Sequence, residues 1–360
     1  MTLLKARFRA TPHKACAEDT PSDFSSDCIE ISQAGCRLSR NSCAKSPKIS
    51  KQLSYKAFKR DLCGVALMLC MVRYKKRTAL KIKIQERKME NKRIIIDCHN
   101  HSTQSPDGKN TVREMLEQAI RLGMEHYTIT DHLEINKFFD KEFLYEEPVK
   151  ESSVIVPALK KEFQDKIGFY YGVELGQPLH DIELTTRILK AYDYDFIIGS
   201  CHMVREFDDF YYLDYNVLKP KDMLEKYFNE LLEMAQWGGF DVLGHLTYPL
   251  RYITGDFGIQ IDMKPYDSII AEIFRTLIKN GMGIEVNTSG LRQKIGVTMP
   301  DSSYIKLFRR LGGEIITIGS DAHCAEDLGK GINEGLAMIK EAGFDKIWYF
   351  EKRQPKYMHI

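Results

Sequence analysis

The chain of 360 residues carries 52 Lys+Arg against 50 Asp+Glu, with 43% hydrophobic and 28% charged residues. That composition is ordinary for a soluble globular protein, and the length suits one large barrel domain or two smaller domains rather than a low-complexity chain. The near-zero balance conceals two unlike parts: residues 1–88 hold 20 basic and 7 acidic residues, whereas residues 89–360 hold 32 and 43, a balance of −11 that disfavours a nucleic-acid groove.

The leader comes first. Six of the nine cysteines (Cys16, Cys28, Cys36, Cys43, Cys63 and Cys70) fall within it, without a preceding secretory signal and without a CxxC pair. Residues 1–60 show neither helical nor strand periodicity. The apolar stretch Cys63–Val72 is flanked by basic residues and is too short to span a bilayer, which takes roughly 20 residues. A basic membrane-surface segment and a nucleic-acid arm are alternatives for the leader. The preferred expectation is that residues 1–88 are an unstructured extension or a translated upstream stretch, and that the domain opens at Met89. Cys98, Cys201 and Cys324 sit beside candidate metal ligands, which suits a reducing compartment, the cytoplasm.

From Met89 onward, strand-like apolar runs alternate with amphipathic runs, the mark of an α/β protein with parallel strands. Strands are expected at Ile94–Asp97, His126–Thr130, Gly168–Glu174, Phe196–Ser200, Asp241–Gly244, Gly283–Asn287 and Glu314–Gly319. Helices are expected at Val112–Leu122, Val149–Lys166, Ile182–Lys190, Lys221–Gln236, Pro265–Asn280 and Ser302–Leu311, with a last one over about Glu326–Ala342. Glycines after Leu122, Asn280 and Leu311 stop three of these helices, and Asp301 is an N-cap candidate. Seven such units point to a closed or nearly closed (β/α)7 barrel, with an open doubly wound sheet as the alternative. No Gly-rich phosphate fingerprint follows the first strand.

Candidate ligands collect where these strands end. His99 and His101 follow the first strand, Asp131 and His132 the second, and Glu174 ends the third. His202 follows the fourth strand, His245 the fifth, and Asp321 with His323 the seventh. In a barrel such ends converge on one face, and imidazole with carboxylate is the donor set of zinc, manganese and iron. Nine candidates exceed the needs of one ion and imply a multinuclear site sharing Glu174. His13, His126, His180 and His359 lack the strand-end position and are read as non-ligands.

These residues in this order resemble the polymerase-and-histidinol-phosphatase (PHP) superfamily from about Ile94 onward. EVNTSGLR (Glu285–Arg292), ITIGSDAH (Ile316–His323) and GHLTYPLRY (Gly244–Tyr252) look most like its histidinol-phosphatase branch. The resemblance implies a distorted seven-stranded TIM-like barrel with three divalent ions and no organic cofactor. His99, His101, Glu174 and Asp321 would hold one ion, Glu174, His202 and His245 the second, and Asp107, His132 and His323 the third. It further implies hydrolysis of L-histidinol phosphate, in histidine biosynthesis, by attack of a metal-bridging hydroxide. Glu174, Asp321 and His323 would carry the chemistry.

Arginine suits the remaining phosphate oxygens through its planar fork, and Arg251, Arg292 and Arg205 are the candidates. The segment Glu206–Tyr215, acidic and aromatic, could receive a cationic amino-alcohol or be an ordinary packed loop. Cys98 and Cys201 are expected to be buried neighbours rather than nucleophiles. Rival readings are a relative acting on nucleotides, nucleic-acid ends or phosphotyrosine, an amidohydrolase barrel, and a non-catalytic metal-binding scaffold. A small phosphorylated substrate is the expected partner, with neither nucleic acid nor membrane; oligomeric state is not legible.

Overall fold

The computed structural model describes residues 95–135, 146–205 and 207–360. The leader, and the Ile94 expected to open the first strand, lie outside the described residues. Seven strand positions form one parallel sheet: β1 (Ile96–Asp97), β2 (His126–Ile129), β4 (Gly168–Gly176), β5 (Phe196–Ser200), β6 (Val242–Leu243), β7 (Gly283–Asn287) and β8 (Ile316–Gly319), in that order. A short β3 (His132–Glu134) continues the line of β2 and pairs with the second half of β4, so the two share one position. Beyond β8 the chain returns to β1. Cys98 N donates to Ile318 O at 3.0 Å, Asp321 N to His99 O at 2.7 Å, and Asn100 bridges Ala322. The sheet therefore closes into a barrel at the carboxyl ends of its strands.

The strands are buried on both faces, as parallel strands are when helices cover the outside and side chains fill the inside. Every residue of β5, β7 and β8 is buried. The covering helices are α1 (Val112–Arg121), α2 (Glu146–Glu162), α3 (Ile182–Ala191), α4 (Pro220–Trp237), α5 (Asp267–Lys279), α6 (Ser302–Arg310) and α7 (Ile332–Glu341). In α1 the buried residues Val112, Met115, Leu116 and Ala119 make a single helical stripe, and Thr111 with Glu114 closes a capping box at its start. Asp301 caps α6 through its carboxylate, accepting from Ser303 N.

Three features depart from the sequence expectations. The last helix begins at Ile332 rather than Glu326, because residues 324–331 turn repeatedly and Gly331 takes a left-handed φ of 81°. Arg251–Asp256, for which the sequence predicts no element, is a turn of π-helix. After α7 comes an antiparallel hairpin, β9 (Lys346–Glu351) and β10 (Gln354–His359). Its two-residue turn, Lys352-Arg353, has both residues at positive φ (50° and 62°), a conformation whose usual signature is Asn-Gly.

The hairpin packs on the amino ends of the barrel strands. Ile347 and Phe350 are buried in the core, and Phe350 stacks on Phe196 with centroids 5.1 Å apart. Asp195, just before β5, accepts from Lys352 N, and Asp241, just before β6, takes the Arg353 Nε at 2.7 Å. Burial pushes the Asp241 carboxyl up to about 6, with Arg353 pulling it back. A folded value above the unfolded one means that this group's contribution is full below about pH 4 and is lost as pH rises through 6. Arg353→Ala should therefore destabilise by roughly 1–3 kcal/mol at pH 8 and by less at pH 5, where Asp241 holds a proton. Thermal melts at the two pH values check this; an equal loss at both would mean that the pair does not act as an ion pair.

Candidate metal centre

Glu174 stands near the end of β4 and is the hub of the carboxyl-end cavity. Its Oε1 lies 2.7 Å from His245 Nε2 and 3.1 Å from His202 Nε2. Its Oε2 lies 2.9 Å from His132 Nδ1, 3.3 Å from His99 Nε2 and 3.5 Å from His101 Nε2. Asp321 Oδ1 is 3.4 Å from His101 Nε2, 3.8 Å from His99 Nε2 and 3.6 Å from His323 Nδ1. Asp107 reaches His323 Nε2 at 3.1 Å and His132 Nε2 at 3.8 Å. All nine residues of the expected ligand set thus converge. Asp131, the other acidic candidate at a strand end, is turned away: it accepts from Ser102 N, Ser102 Oγ and Ser105 Oγ and braces the loop after β1.

The donor atoms fit cations better than they fit one another. His202 Nε2 and His245 Nε2 are 3.2 Å apart and face the same carboxylate oxygen. His99 Nε2, His101 Nε2 and His132 Nδ1 are buried without a hydrogen-bond partner among the described residues. Buried polar atoms normally find partners, so a group of unpaired nitrogens around carboxylates is the signature of a missing electrophile. Three trios can each close on one point: His101, His132 and His323; His99, His101 and Glu174; His132, Glu174 and His202. His132 belongs to two of them and so stands between adjacent positions. Burial alone would raise the Glu174 carboxyl, but the facing His99, His202 and His132 hold it well below the usual carboxylate range.

Backbone strain collects at the same place. His245 has φ 35° and Asp321 φ 53°, left-handed values that residues other than glycine seldom adopt. At Gly319 an added Cβ would meet His99 Cβ at 2.2 Å and Glu285 Oε1 at 2.7 Å. Gly319→Ala must therefore push His99 off its position. The expected result is a fall of several degrees in melting temperature together with loss of metal uptake, read by melting and elemental analysis; a variant with both unchanged would show the cavity to be more plastic than this.

Several supporting residues were not foreseen. Glu285 on β7 accepts from or pairs with His99 Nδ1 at 2.6 Å, Asn287 and Ser289 donate to Asp321 Oδ2, and Glu134 stands 2.9 Å from His202 Nδ1. The signal for Glu134 was present: in the triplet His132-Leu133-Glu134 a strand puts its first and third side chains on one face.

The three arginines differ. Arg205 is paired with Glu233 of α4 at 2.7 Å on the surface, which spends its fork away from the cavity. Arg292 donates to the carbonyl of Ser320 at 2.9 Å and more distantly to that of Asp321, bracing the strained loop that carries Asp321. The Arg251 guanidinium lies over the ring of Tyr252 at 5.4 Å, and the side chain makes no hydrogen bond or ion pair among the described residues. Burial would lower its basicity. Tyr252, Tyr248 and the carboxylates of Asp321 and Asp209 outweigh that and hold it above the usual arginine range.

Comparison with known proteins decides the family. A profile described as PHP domain matches residues 97–289, more than half of the chain. The chain belongs to the PHP-domain family. Seven of the nine cluster residues fall within the matched PHP segment, with Asp321 and His323 following it. The chain is 30% identical to a probable histidinol-phosphatase of Thermotoga maritima, over 70% of this chain and 94% of that protein. It is 27% identical to a histidinol-phosphatase of Lactococcus lactis, over 71% of this chain and 94% of that one. The crystal structure of the histidinol phosphate phosphatase from Lactococcus lactis, complexed with zinc, L-histidinol and phosphate, superposes with a TM-score of 0.65 at 26% identity, covering 73% of this chain and 98% of that chain. Among the described residues no helix is long and apolar enough to cross a membrane.

Proposed function

We propose that this PHP-family chain is a metal-dependent histidinol-phosphatase, releasing phosphate from L-histidinol phosphate in the cytoplasm. The observation that carries the reading is the cluster centred on Glu174: nine converging residues in a fold shared with a relative that binds zinc, L-histidinol and phosphate. Three divalent ions, zinc, manganese or iron, fit the donor set. His99, His101, Glu174 and Asp321 would hold one, Glu174, His202 and His245 a second, and Asp107, His132 and His323 a third. When bound, such ions acidify water and neutralise charge developing on a phosphoryl group.

The chain's own residues do the rest. Glu174 offers two oxygens to opposite sides of the cluster and would hold neighbouring cations together without neutralising either fully. Asp321 is fixed through its second oxygen by Asn287 and Ser289, leaving Oδ1 toward His99, His101 and His323. His323 donates from Nδ1 to the Asp321 carbonyl, so its Nε2 carries the lone pair beside Asp107, the tautomer that a ligand of the third ion would need. Arg251 supplies a permanent charge and a planar fork for phosphoryl oxygens. The segment around Asp209 favours a cationic leaving group. Its backbone is tied to the cluster through Phe210 N donating to His202 O, and Asp209 feels the charges of His202 and Arg251. Cys98, Cys201 and Cys324, buried and outside any disulfide among the described residues, suit a reducing compartment.

The test is phosphate release from L-histidinol phosphate by zinc- or manganese-loaded protein, beside phosphotyrosine, nucleotides and 3′-phosphorylated DNA. Selective turnover of L-histidinol phosphate is expected; turnover confined to other members would keep the metal site and sink the substrate.

A further inference from the structure

Glu134 is a half-buried carboxylate of the cavity that, like the buried Glu285 behind His99, lies outside the ligand set, and several independent features are built around it. On β3 it shares a face with His132, while Leu133 between them is buried on the other side. Register with β4 sets Glu134 opposite Gly176. A Cβ at position 176 would lie 2.3 Å from Glu134 Oε2, so a larger residue there would displace this carboxylate from its present place. Its Oε2 accepts from Gln177 Nε2 at 2.6 Å. Gln177 is itself buried with φ 47°, and its own Oε1 accepts from the His202 backbone N at 2.8 Å. Strain is tolerated there because the amide grips Glu134 and His202 together.

The other oxygen faces the metal cluster. Glu134 Oε1 is hydrogen-bonded to His202 Nδ1 at 2.9 Å and stands 3.2 Å from His132 Nδ1. With Nδ1 donating to a carboxylate, His202 has its Nε2 lone pair free, and that nitrogen is the one facing Glu174 and His245. A carboxylate behind a ligating imidazole fixes its tautomer and ring angle and makes it a better donor.

We propose that Glu134 is a positioning residue for the metal centre: it acts through His202, holding that ring in the tautomer and orientation that ligate, and is not itself a ligand. The inference rests on the proposed metal site and is independent of the proposed substrate.

The test is zinc binding to the full chain, by competition with a chromophoric chelator, with elemental analysis of bound zinc and melting of the metal-free proteins as the fold control. Glu134→Ala is expected to weaken at least one zinc site about 10–100-fold. Glu134→Gln, whose amide oxygen can still accept from His202 Nδ1, should recover most of that loss, and it serves alone if the alanine variant fails to fold. In a His202→Ala background, adding Glu134→Ala should cost nothing further, since its partner is already gone. Zinc affinities unchanged by Glu134→Ala would overturn the proposal. A full additional loss in the His202→Ala background would overturn it too, because Glu134 would then be binding metal directly. Wild-type protein that takes up no zinc would overturn the metal reading itself, a result distinct from either.

Discussion

Glu174→Gln should abolish phosphatase turnover, with a loss on the order of 10³-fold or more, and should strip zinc from the protein. The carboxylate is 1% exposed and touches five histidines that come from four different strand ends. Glutamine keeps the shape but replaces one oxygen by an NH2, a donor aimed at nitrogens that must themselves present lone pairs. One side of the hub is lost in either amide orientation, so neighbouring ions cannot share it. Elemental analysis and turnover measured on the same preparation check the result. A variant that keeps wild-type zinc and turnover would show that Glu174 is not the bridge.

Arg251→Ala should lower kcat/KM by about 10²–10³-fold while leaving the zinc content unchanged. The guanidinium is already held in place over Tyr252, whose hydroxyl meets that of Tyr248 at 2.9 Å, and Tyr248 in turn stacks on His245. Little side-chain entropy remains to be lost when phosphate arrives. Arg251→Lys should recover part of the loss, since an ammonium supplies charge but not the planar fork. Arg205→Ala should change kcat/KM only a few-fold, because an exposed pair such as Arg205–Glu233 is worth about 0–1 kcal/mol. If Arg251→Ala and Arg205→Ala are alike, Arg251 is not the clamp.

Much of this fold was legible because its signals are local. Strand runs such as Phe196–Ser200 and Gly283–Asn287 are bounded by polar turns and show in the structure with the same limits. Convergence of the ligands was legible for a geometric reason: in a parallel barrel every strand points its carboxyl end to one face, so position along the chain translates into position in space. What stayed hidden depends on contacts distant in sequence. Lys352-Arg353 turns a hairpin because Asp195 and Asp241 grip it across more than a hundred residues, and nothing local announces that. Arg292 and Arg205 stood after Arg251 as clamp candidates in sequence. Only the folded chain shows that Arg292 is occupied by the loop of Asp321 and Arg205 by a helix on the outside. Glu134 was missed because β2 and β3 are interrupted by Thr130 and Asp131, which masks the strand alternation.

The hairpin at the amino ends of the strands also bears on how the protein is made. Residues 346–359 are synthesised after every member of the metal cluster, yet their buried Ile347 and Phe350 complete the wall against which β5 and β8 pack. The order of synthesis therefore puts the support of the amino ends last: every donor of the cluster is made before the strands that back β5 and β8.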